Sequence, residues 1–261
     1  MKKILQIGLI FSLFFSIHTL SAHDLKGAVA SDDRSPKNII RDNHRNPLET
    51  LSFFGIESDM VIVELSPGGG WYTEILANFI HYPGTLIAAH FSSDSDRAYY
   101  KRSRSNFEKK MASDSMYGRV EIVDLDSELS DPNTVDAVLT FRNLHNWLGP
   151  TMDSIFSNTH KALKPGGIFG IVEHRAKPGT SMDMMRKSGY VTESHAIAIA
   201  EKHGFELVAK SEINANPKDL KDYPKGVWTL PPNLRLKETD KEKYLEIGES
   251  DRMTLLFRKP I

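Results

Sequence analysis

Short apolar runs recur along the chain, and most are followed by a turn and then by a segment with helical spacing. Residues 60–64 are apolar up to their final acid, which is typical of a strand buried on both faces. Residues 67–70, a proline and three glycines, break this run. Residues 71–81 then carry apolar side chains on one helical stripe, so a strand, a turn and a helix begin the regular part of the chain.

The same alternation predicts seven strands and four principal helices. The strands are expected at residues 60–64, 85–89, 120–123, 135–140, 168–172, 205–210 and 253–257. The helices are expected at residues 71–81, 94–113, 151–163 and 193–203. Strands that alternate with helices favour a mostly parallel sheet with helices on both faces. We therefore predict an α/β fold with a Rossmann-like, doubly wound sheet.

Two segments depart from this alternation. Residues 23–47 are polar and predict an N-terminal tail followed by a short helix, while residues 48–261 form the main domain. Residues 214–250 separate the last two strands and contain four prolines: Pro217, Pro224, Pro231 and Pro232. Because proline interrupts helices and strands alike, we predict an irregular insertion here rather than a second domain.

Residues 1–22 have the layout of a secretory signal peptide. Lys2 and Lys3 precede an apolar stretch at residues 4–17, and Ala22 offers a small residue at the expected cleavage point. An uncleaved membrane anchor is the alternative, but the apolar stretch is short for a span of about 20 residues. We therefore expect a periplasmic or secreted protein with no stable membrane anchor after cleavage.

Composition narrows the candidate functions. The 33 basic and 34 acidic residues give a formal charge of -1, and removal of Lys2 and Lys3 would make it -3. No strong field for nucleic acid is present, so we expect no nucleic-acid partner. The chain has no cysteine, which excludes thiolate catalysis and cysteine-ligated zinc. No pattern indicates the oligomeric state.

The strongest candidate binding element follows the first strand. Ligands of open parallel sheets bind beyond the carboxyl ends of the strands, and Glu64 leads there into Gly68, Gly69 and Gly70. Glycines let a ligand approach the backbone, although a plain tight turn is the alternative. No Gly-Lys-Ser/Thr follows, which disfavours a phosphate-binding P-loop, and the consecutive glycines fit a dinucleotide fingerprint poorly.

Polar residues also follow the fourth and fifth strands. His145 comes after the fourth strand, and Glu173 and His174 end the fifth. A histidine titrates near neutrality, so His145 is a candidate general base, with a capping or structural role as the alternative. The three residues together could bind a polar substrate. A metal is the less favoured reading, because no helical His-Glu spacing supports it, and we assign no metal ligand.

Three motifs in order resemble those of class I S-adenosylmethionine-dependent methyltransferases. Residues 64–70 look like the first motif of that family, and residues 136–145 like its fourth strand and the segment that follows. Residues 163–167 look like the turn before its fifth strand. A closer resemblance, to a group of exported bacterial proteins labelled predicted methyltransferases, rests on residues 69–74, 225–228 and 249–253.

The resemblance implies S-adenosylmethionine as the cofactor and an antiparallel last strand. It implies cofactor contacts for Glu64, Ser66, Gly68, Gly69, Gly70, His90, Asp124 and Asn143. His90 stands where the family usually has an acid that binds the ribose. Asp124 stands at the position whose side chain often contacts the adenine amino group. Asp94 and Asp96 follow His90 but look like residues of a helix start.

The function implied by the resemblance is methyl transfer to an unidentified small molecule. His145, Glu173 and His174 are the candidate catalytic residues. One alternative is a non-catalytic protein that binds a nucleoside ligand on the same fold, and His90 is the residue that favours it. Another is a hydrolase or isomerase that uses the same three polar residues. No motif identifies the acceptor atom.

Overall fold

Seven strands form a single sheet in the computed structural model, which describes residues 24–261. The strands are β1 (Val61–Leu65), β2 (Thr85–His90), β3 (Val120–Asp124), β4 (Val135–Phe141), β5 (Leu163–His174), β6 (Glu206–Ser211) and β7 (Arg252–Arg258). Their order is β3-β2-β1-β4-β5-β7-β6, and β7 is antiparallel to both of its neighbours. The predicted doubly wound, mostly parallel sheet with an antiparallel last strand is therefore confirmed. The predicted signal peptide lies outside the described residues.

Eleven α-helices accompany these strands within residues 24–261, four of them before β1. They are α1 (Leu25–Val29), α2 (Pro36–Ile39), α3 (Asp42–Arg45), α4 (Pro47–Phe54), α5 (Trp71–Phe79), α6 (Ala98–Met111), α7 (Leu144–Trp147), α8 (Pro150–Ala162), α9 (Met182–Ser188), α10 (Glu193–Lys202) and α11 (Lys241–Ile247). The four principal helices of the prediction correspond to α5, α6, α8 and α10. None of the helices of the described chain has the length and apolar composition needed to cross a membrane.

Both faces of the sheet are buried, as the continuous apolar runs predict. On β1, Val63 faces a core that includes Phe156 of α8 and Ala200 of α10. Its neighbour Ile62 faces the opposite core, with Leu51 of α4 and further side chains from α5. Successive side chains of a strand point to opposite faces, so one short run anchors helices on both sides.

The proline-glycine turn expected before the fifth strand is a bulge inside β5. Leu163 pairs with Val135, but the next pair joins Ile168 to Ala137, so four residues bulge out opposite one residue of β4. Gly166 has φ +81°, a left-handed conformation that suits glycine. The sequence pattern located this irregularity, and the pairing with β4 continues on both sides of it.

The segment that precedes α4 contains more structure than the predicted tail and single short helix. Three short helices, α1 to α3, occupy this segment: α1 packs its apolar side chains into the core beside α5, and polar side chains hold α2 and α3. Arg34 forms an ion pair of 2.7 Å with Asp42, and the indole nitrogen of Trp71 donates to the Asn38 carbonyl at 3.0 Å. The contact from Trp71 spans 33 residues of chain, which periodicity alone does not reveal.

The insertion between β6 and β7 is irregular, as predicted, with one 3-10 turn at Gly226–Thr229 and the short helix α11. Gly226 has φ +55°, and a Cβ built on it would lie 2.1 Å from the Ser188 carbonyl oxygen at the end of α9. Only glycine permits this close approach. The contact holds the 3-10 turn over the carboxyl ends of β4 and β5.

Candidate functional site

The loop after β1 is an exposed glycine turn at the carboxyl edge of the sheet. Ser66, Gly68 and Gly70 all have positive φ, of 51°, 60° and 77°. A Cβ built on Gly68 or Gly69 would meet no atom within 4 Å, so the backbone faces open space. The Ser66 hydroxyl is buried and has no hydrogen-bond partner in the described chain. The loop therefore offers a ligand both room and an unsatisfied polar atom.

Glu64 ends β1 as a buried carboxyl group, 2% exposed. Its Oε2 accepts a hydrogen bond of 2.6 Å from the Thr73 hydroxyl of α5. Burial raises the pKa of Glu64 to about 7, and the Thr73 hydrogen bond only partly opposes this. In this structure, Glu64 thus links the strand to the first turn of α5 beneath the glycine loop.

His90, at the end of β2, supports the same loop. Its Nδ1 accepts a hydrogen bond of 2.7 Å from the Phe91 backbone N–H, so the ring proton lies on Nε2. That nitrogen donates to the Gly68 carbonyl oxygen at 3.2 Å. Burial lowers the pKa of His90, which keeps the imidazole neutral. Both ring nitrogens are engaged by the protein here, and the histidine holds the loop from below.

Asp124 and Asn143 occupy different surroundings. Asp124 ends β3 and accepts a hydrogen bond of 2.7 Å from Arg104 of α6. Asn143 follows β4, and its amide nitrogen lies 3.2 Å from the carbonyl oxygens of Leu65 and Ser66. The Asn143 side chain thus joins the ends of β1 and β4 and fixes the start of the glycine loop.

A cavity of about 660 Å³ opens at the ends of β2, β3 and β4. Phe91, which stacks on Tyr100 with ring centroids 3.9 Å apart, forms one wall. The lining also includes Asp94, Asp96 and Asp126. The sequence pattern predicts a helix start at the first two of these acids, but α6 begins only at Ala98. The signal that could have located them is their position directly after the end of a strand.

The three candidate catalytic residues lie together at the ends of β4 and β5. His145 Nδ1 is 3.0 Å from Glu173 Oε1, and the backbone N–H of His174 donates to the same oxygen at 2.7 Å. The rings of His145 and His174 have centroids 5.2 Å apart. His174 Nδ1 contacts the Ser250 hydroxyl at 2.5 Å. The other ring nitrogen of each histidine makes no hydrogen bond within residues 24–261.

A second cavity, of about 150 Å³, lies beside these histidines. Its wall includes both imidazoles and the ring of Trp228, whose centroid is 5.9 Å from that of His145. The 3-10 turn and the prolines of the insertion cover it. The insertion thus contributes directly to the site, which sequence reasoning did not anticipate.

Four arginines surround a single carboxylate at the edge of this cavity. Glu249 accepts hydrogen bonds from Arg41 at 2.8 Å and Arg45 at 3.2 Å, and Arg252 lies 3.4 Å away. The fourth, Arg142, lies 4.0 Å from the same carboxylate. Arg41 and Arg45 come from the segment predicted to be a tail. The region is therefore strongly positive.

A metal ion is geometrically possible at the histidines but electrostatically disfavoured. One ligand atom each from His145, Glu173 and His174 lies within 4.8 Å of the others. Burial, followed by the positive charge of neighbours such as Arg142, lowers the pKa of His174 well below its usual value. The same arginine field that opposes protonation of His174 also opposes a divalent cation.

Comparison with known proteins finds similarity over the part of the chain that carries the glycine loop. Residues 63–171 match the family model described as a methyltransferase domain. A sterol 24-C-methyltransferase of Neurospora crassa is 24% identical over 221 residues, which cover 78% of this chain and 53% of the relative. The chain spans about half the length of the curated relatives it matches.

Solved methyltransferase structures share the fold at low sequence identity. A SAM-dependent methyltransferase from Aquifex aeolicus matches with a TM-score of 0.57 and 14% identity, covering 90% of this chain and 98% of that one. A phosphoethanolamine N-methyltransferase of Haemonchus contortus, solved in complex with S-adenosyl-L-methionine, matches with a TM-score of 0.56 and 18% identity, covering 91% and 56%. Residues 63–171 are therefore similar to the methyltransferase-domain family, and the chain has the class I methyltransferase fold.

Proposed function

We propose that this protein transfers a methyl group from S-adenosylmethionine to a small molecule. The observation that carries the proposal is the open glycine loop at the end of β1, which lies inside the matched methyltransferase domain. The domain match supports S-adenosylmethionine as the cofactor. Methyl transfer asks mainly for alignment, since the methyl group of the cofactor is already activated.

The residues around the loop fit this cofactor. Gly68 presents backbone without a side chain, and the Ser66 hydroxyl is buried and free to pair. The cavity between Phe91 and the acids Asp94 and Asp126 has the aromatic and carboxylate groups that suit a nucleoside. When bound, S-adenosylmethionine would supply an electrophilic methyl group on a sulfonium. The residues of the chain would orient that methyl group and receive the acceptor.

His145 is the group best placed to move a proton. Glu173 accepts from His145 Nδ1 at 3.0 Å, so in the neutral imidazole Nε2 is the nitrogen that can accept a proton. During methyl transfer, this nitrogen would take the proton that the acceptor atom releases. Glu173 would then stabilise the positive imidazolium, as the carboxylates of catalytic dyads do.

Cofactor binding is tested with two matched glycine variants. Gly68→Val and Gly179→Val both place valine at a positive φ, of 60° and 80°, and neither Cβ would meet an atom within 4 Å. Each variant should cost about 1–2 kcal/mol of backbone strain. Only Gly68→Val should abolish S-adenosylmethionine binding in calorimetric titration, because only its side chain would fill the open space over the glycine loop. Equal binding by both variants, or none by the wild type, would contradict the proposal.

Catalysis is tested separately by transfer of labelled methyl groups to an extract of small molecules. His145→Gln should slow transfer by about 100-fold or more while S-adenosylmethionine still binds, because only proton removal is lost. A wild-type protein that binds the cofactor but never transfers its methyl group would exclude the enzymatic proposal. It would favour the non-catalytic alternative.

We also propose that the chain is exported with residues 1–22 as a cleaved signal. The support is the order of charged, apolar and small residues in that segment, together with the resemblance to exported bacterial proteins. Mass spectrometry of the protein from cell fractions should find a mature N-terminus at His23 outside the cytoplasm. Intact Met1 in a purely cytoplasmic protein would refute export.

A further inference from the structure

The smaller cavity has a charge imbalance that the proposed chemistry leaves unexplained. Four guanidinium groups lie around Glu249, and Arg142 is the one among them that lines the cavity. Among residues 24–261, Glu173 is the carboxylate in contact with the cavity histidines, so the two acids leave an excess of about two positive charges if both histidines are neutral. Arg45 Nη2 is buried without a hydrogen-bond partner in the described chain. The Arg45 guanidinium pairs with Glu249 and lies over the Trp71 ring, but this one buried donor lacks a partner, which is costly. Together with the excess of positive charge, it points to a missing anion.

Arg142 is the arginine placed to meet that anion. It lines the cavity, and its guanidinium donates no hydrogen bond within residues 24–261. Its nearest carboxylate, Glu249, lies 4.0 Å away, beyond hydrogen-bond distance. The five donors of a guanidinium suit the bidentate binding of carboxylate and phosphate groups.

The backbone of Arg142 is also held in an unfavourable conformation. Its φ of +64° lies in the left-handed region, which costs a non-glycine residue about 1–2 kcal/mol. The residue directly follows β4, so this conformation determines where its side chain begins. Strained residues of this kind cluster at binding sites, where the surrounding structure holds them in place.

We infer that the acceptor is an anion whose carboxylate or phosphate group binds the Arg142 guanidinium in this cavity. The inference rests on the proposed methyl transfer and names the class of its substrate. About 150 Å³ is the space of some five water molecules, so the cavity admits a charged head group and not a whole metabolite. Trp228, which carries the Arg235 guanidinium over its ring at 4.5 Å, lines the cavity together with His145.

The test titrates the purified protein with acetate and with inorganic phosphate, each against sodium chloride of equal ionic strength. Arg142→Gly removes the guanidinium and also relieves the positive φ, because glycine tolerates it. The matched control is Lys237→Gly, which removes an exposed cation at φ +54° outside the cavity lining. Thermal unfolding and S-adenosylmethionine binding are measured on the same samples.

We expect saturable binding of at least one of the two probes to the wild type and to Lys237→Gly. Arg142→Gly should bind it at least tenfold more weakly, with an unchanged or higher Tm and unchanged cofactor binding. Tighter binding of acetate would indicate a carboxylate on the acceptor, and tighter binding of inorganic phosphate would indicate a phosphate group. Cofactor binding without probe binding, or equal probe binding by Arg142→Gly, would overturn the inference and leave methyl transfer standing. If the wild type does not bind S-adenosylmethionine at all, the proposed function itself is refuted.

Discussion

Glu249 is the residue whose removal should most disturb the structure around the site. The substitution Glu249→Gln keeps the shape of the side chain but removes the charge that Arg41, Arg45, Arg142 and Arg252 share. Because the carboxylate is 4% exposed, water cannot replace it as a partner. Four guanidinium groups would then lie close together without their common counter-ion.

The pKa of Glu249 gives the magnitude of this effect. Burial alone would raise the pKa, but the four arginines outweigh it and hold the value at about 2, against 4.5 ordinarily. One pKa unit corresponds to 1.36 kcal/mol, so the difference corresponds to about 3 kcal/mol of folding free energy. This agrees with the 3–5 kcal/mol typical of breaking a buried ion pair from one side.

Urea unfolding of the wild type and Glu249→Gln at several pH values checks the prediction. A depressed folded-state pKa stabilises above the unfolded pKa, so the wild type should be about 3 kcal/mol more stable at pH 7. The difference should shrink as the pH falls from 4.5 towards 2. The control is Glu212→Gln, which removes an exposed carboxylate paired with Arg175 and should cost less than about 1 kcal/mol. A loss below about 1 kcal/mol for Glu249→Gln, or a difference independent of pH, would refute the reasoning.

Two further predictions concern the core beneath the site. Glu64 has a folded-state pKa of about 7, above its ordinary value, so its contribution to stability should decline as the pH rises from 4.5 to 7. The decline should amount to about 3 kcal/mol at most in the wild type and should be absent in Glu64→Gln. If the free energy of unfolding falls equally with pH in both proteins, the prediction is wrong. Gly170→Ala would place a Cβ 2.8 Å from Leu139 Cδ2 and 2.9 Å from the Phe54 ring. It should cost about 1–3 kcal/mol in urea unfolding without weakening cofactor binding, and a neutral result would show that α4 can move away from β5.

Much of the fold was predictable because its signals are local. The run at residues 60–64 needs only its own apolar side chains to indicate a strand buried on both faces, and β1 occupies Val61–Leu65. The glycines that follow indicate a turn, because glycine adopts the positive φ angles of a turn with less steric strain than any other residue. The predicted meeting of His145 with Glu173 had the same origin, since parallel strands bring their carboxyl ends to one edge of the sheet.

Other parts of the site depended on packing between distant segments. The helices α9 and α11 are short and weakly patterned, and they were not predicted. Asp94 and Asp96 come shortly after a strand, where acids often bind ligands. Because α6 begins only at Ala98, the two residues lie outside the helix and line a cavity. A polar residue after a strand can cap a helix or line a site, and sequence periodicity does not distinguish the two.

By itself, the sequence determined the order of strands and helices, the glycine loop and the polar residues at the strand ends. Only the tertiary structure decided what those residues touch. In the folded chain, both ring nitrogens of His90 form hydrogen bonds with the backbone. Arg41 contacts Glu249, which lies 208 residues away in sequence. The reason is physical: hydrophobic periodicity reports which face of an element is buried, whereas ion pairs form between side chains that only the packing of whole elements brings together.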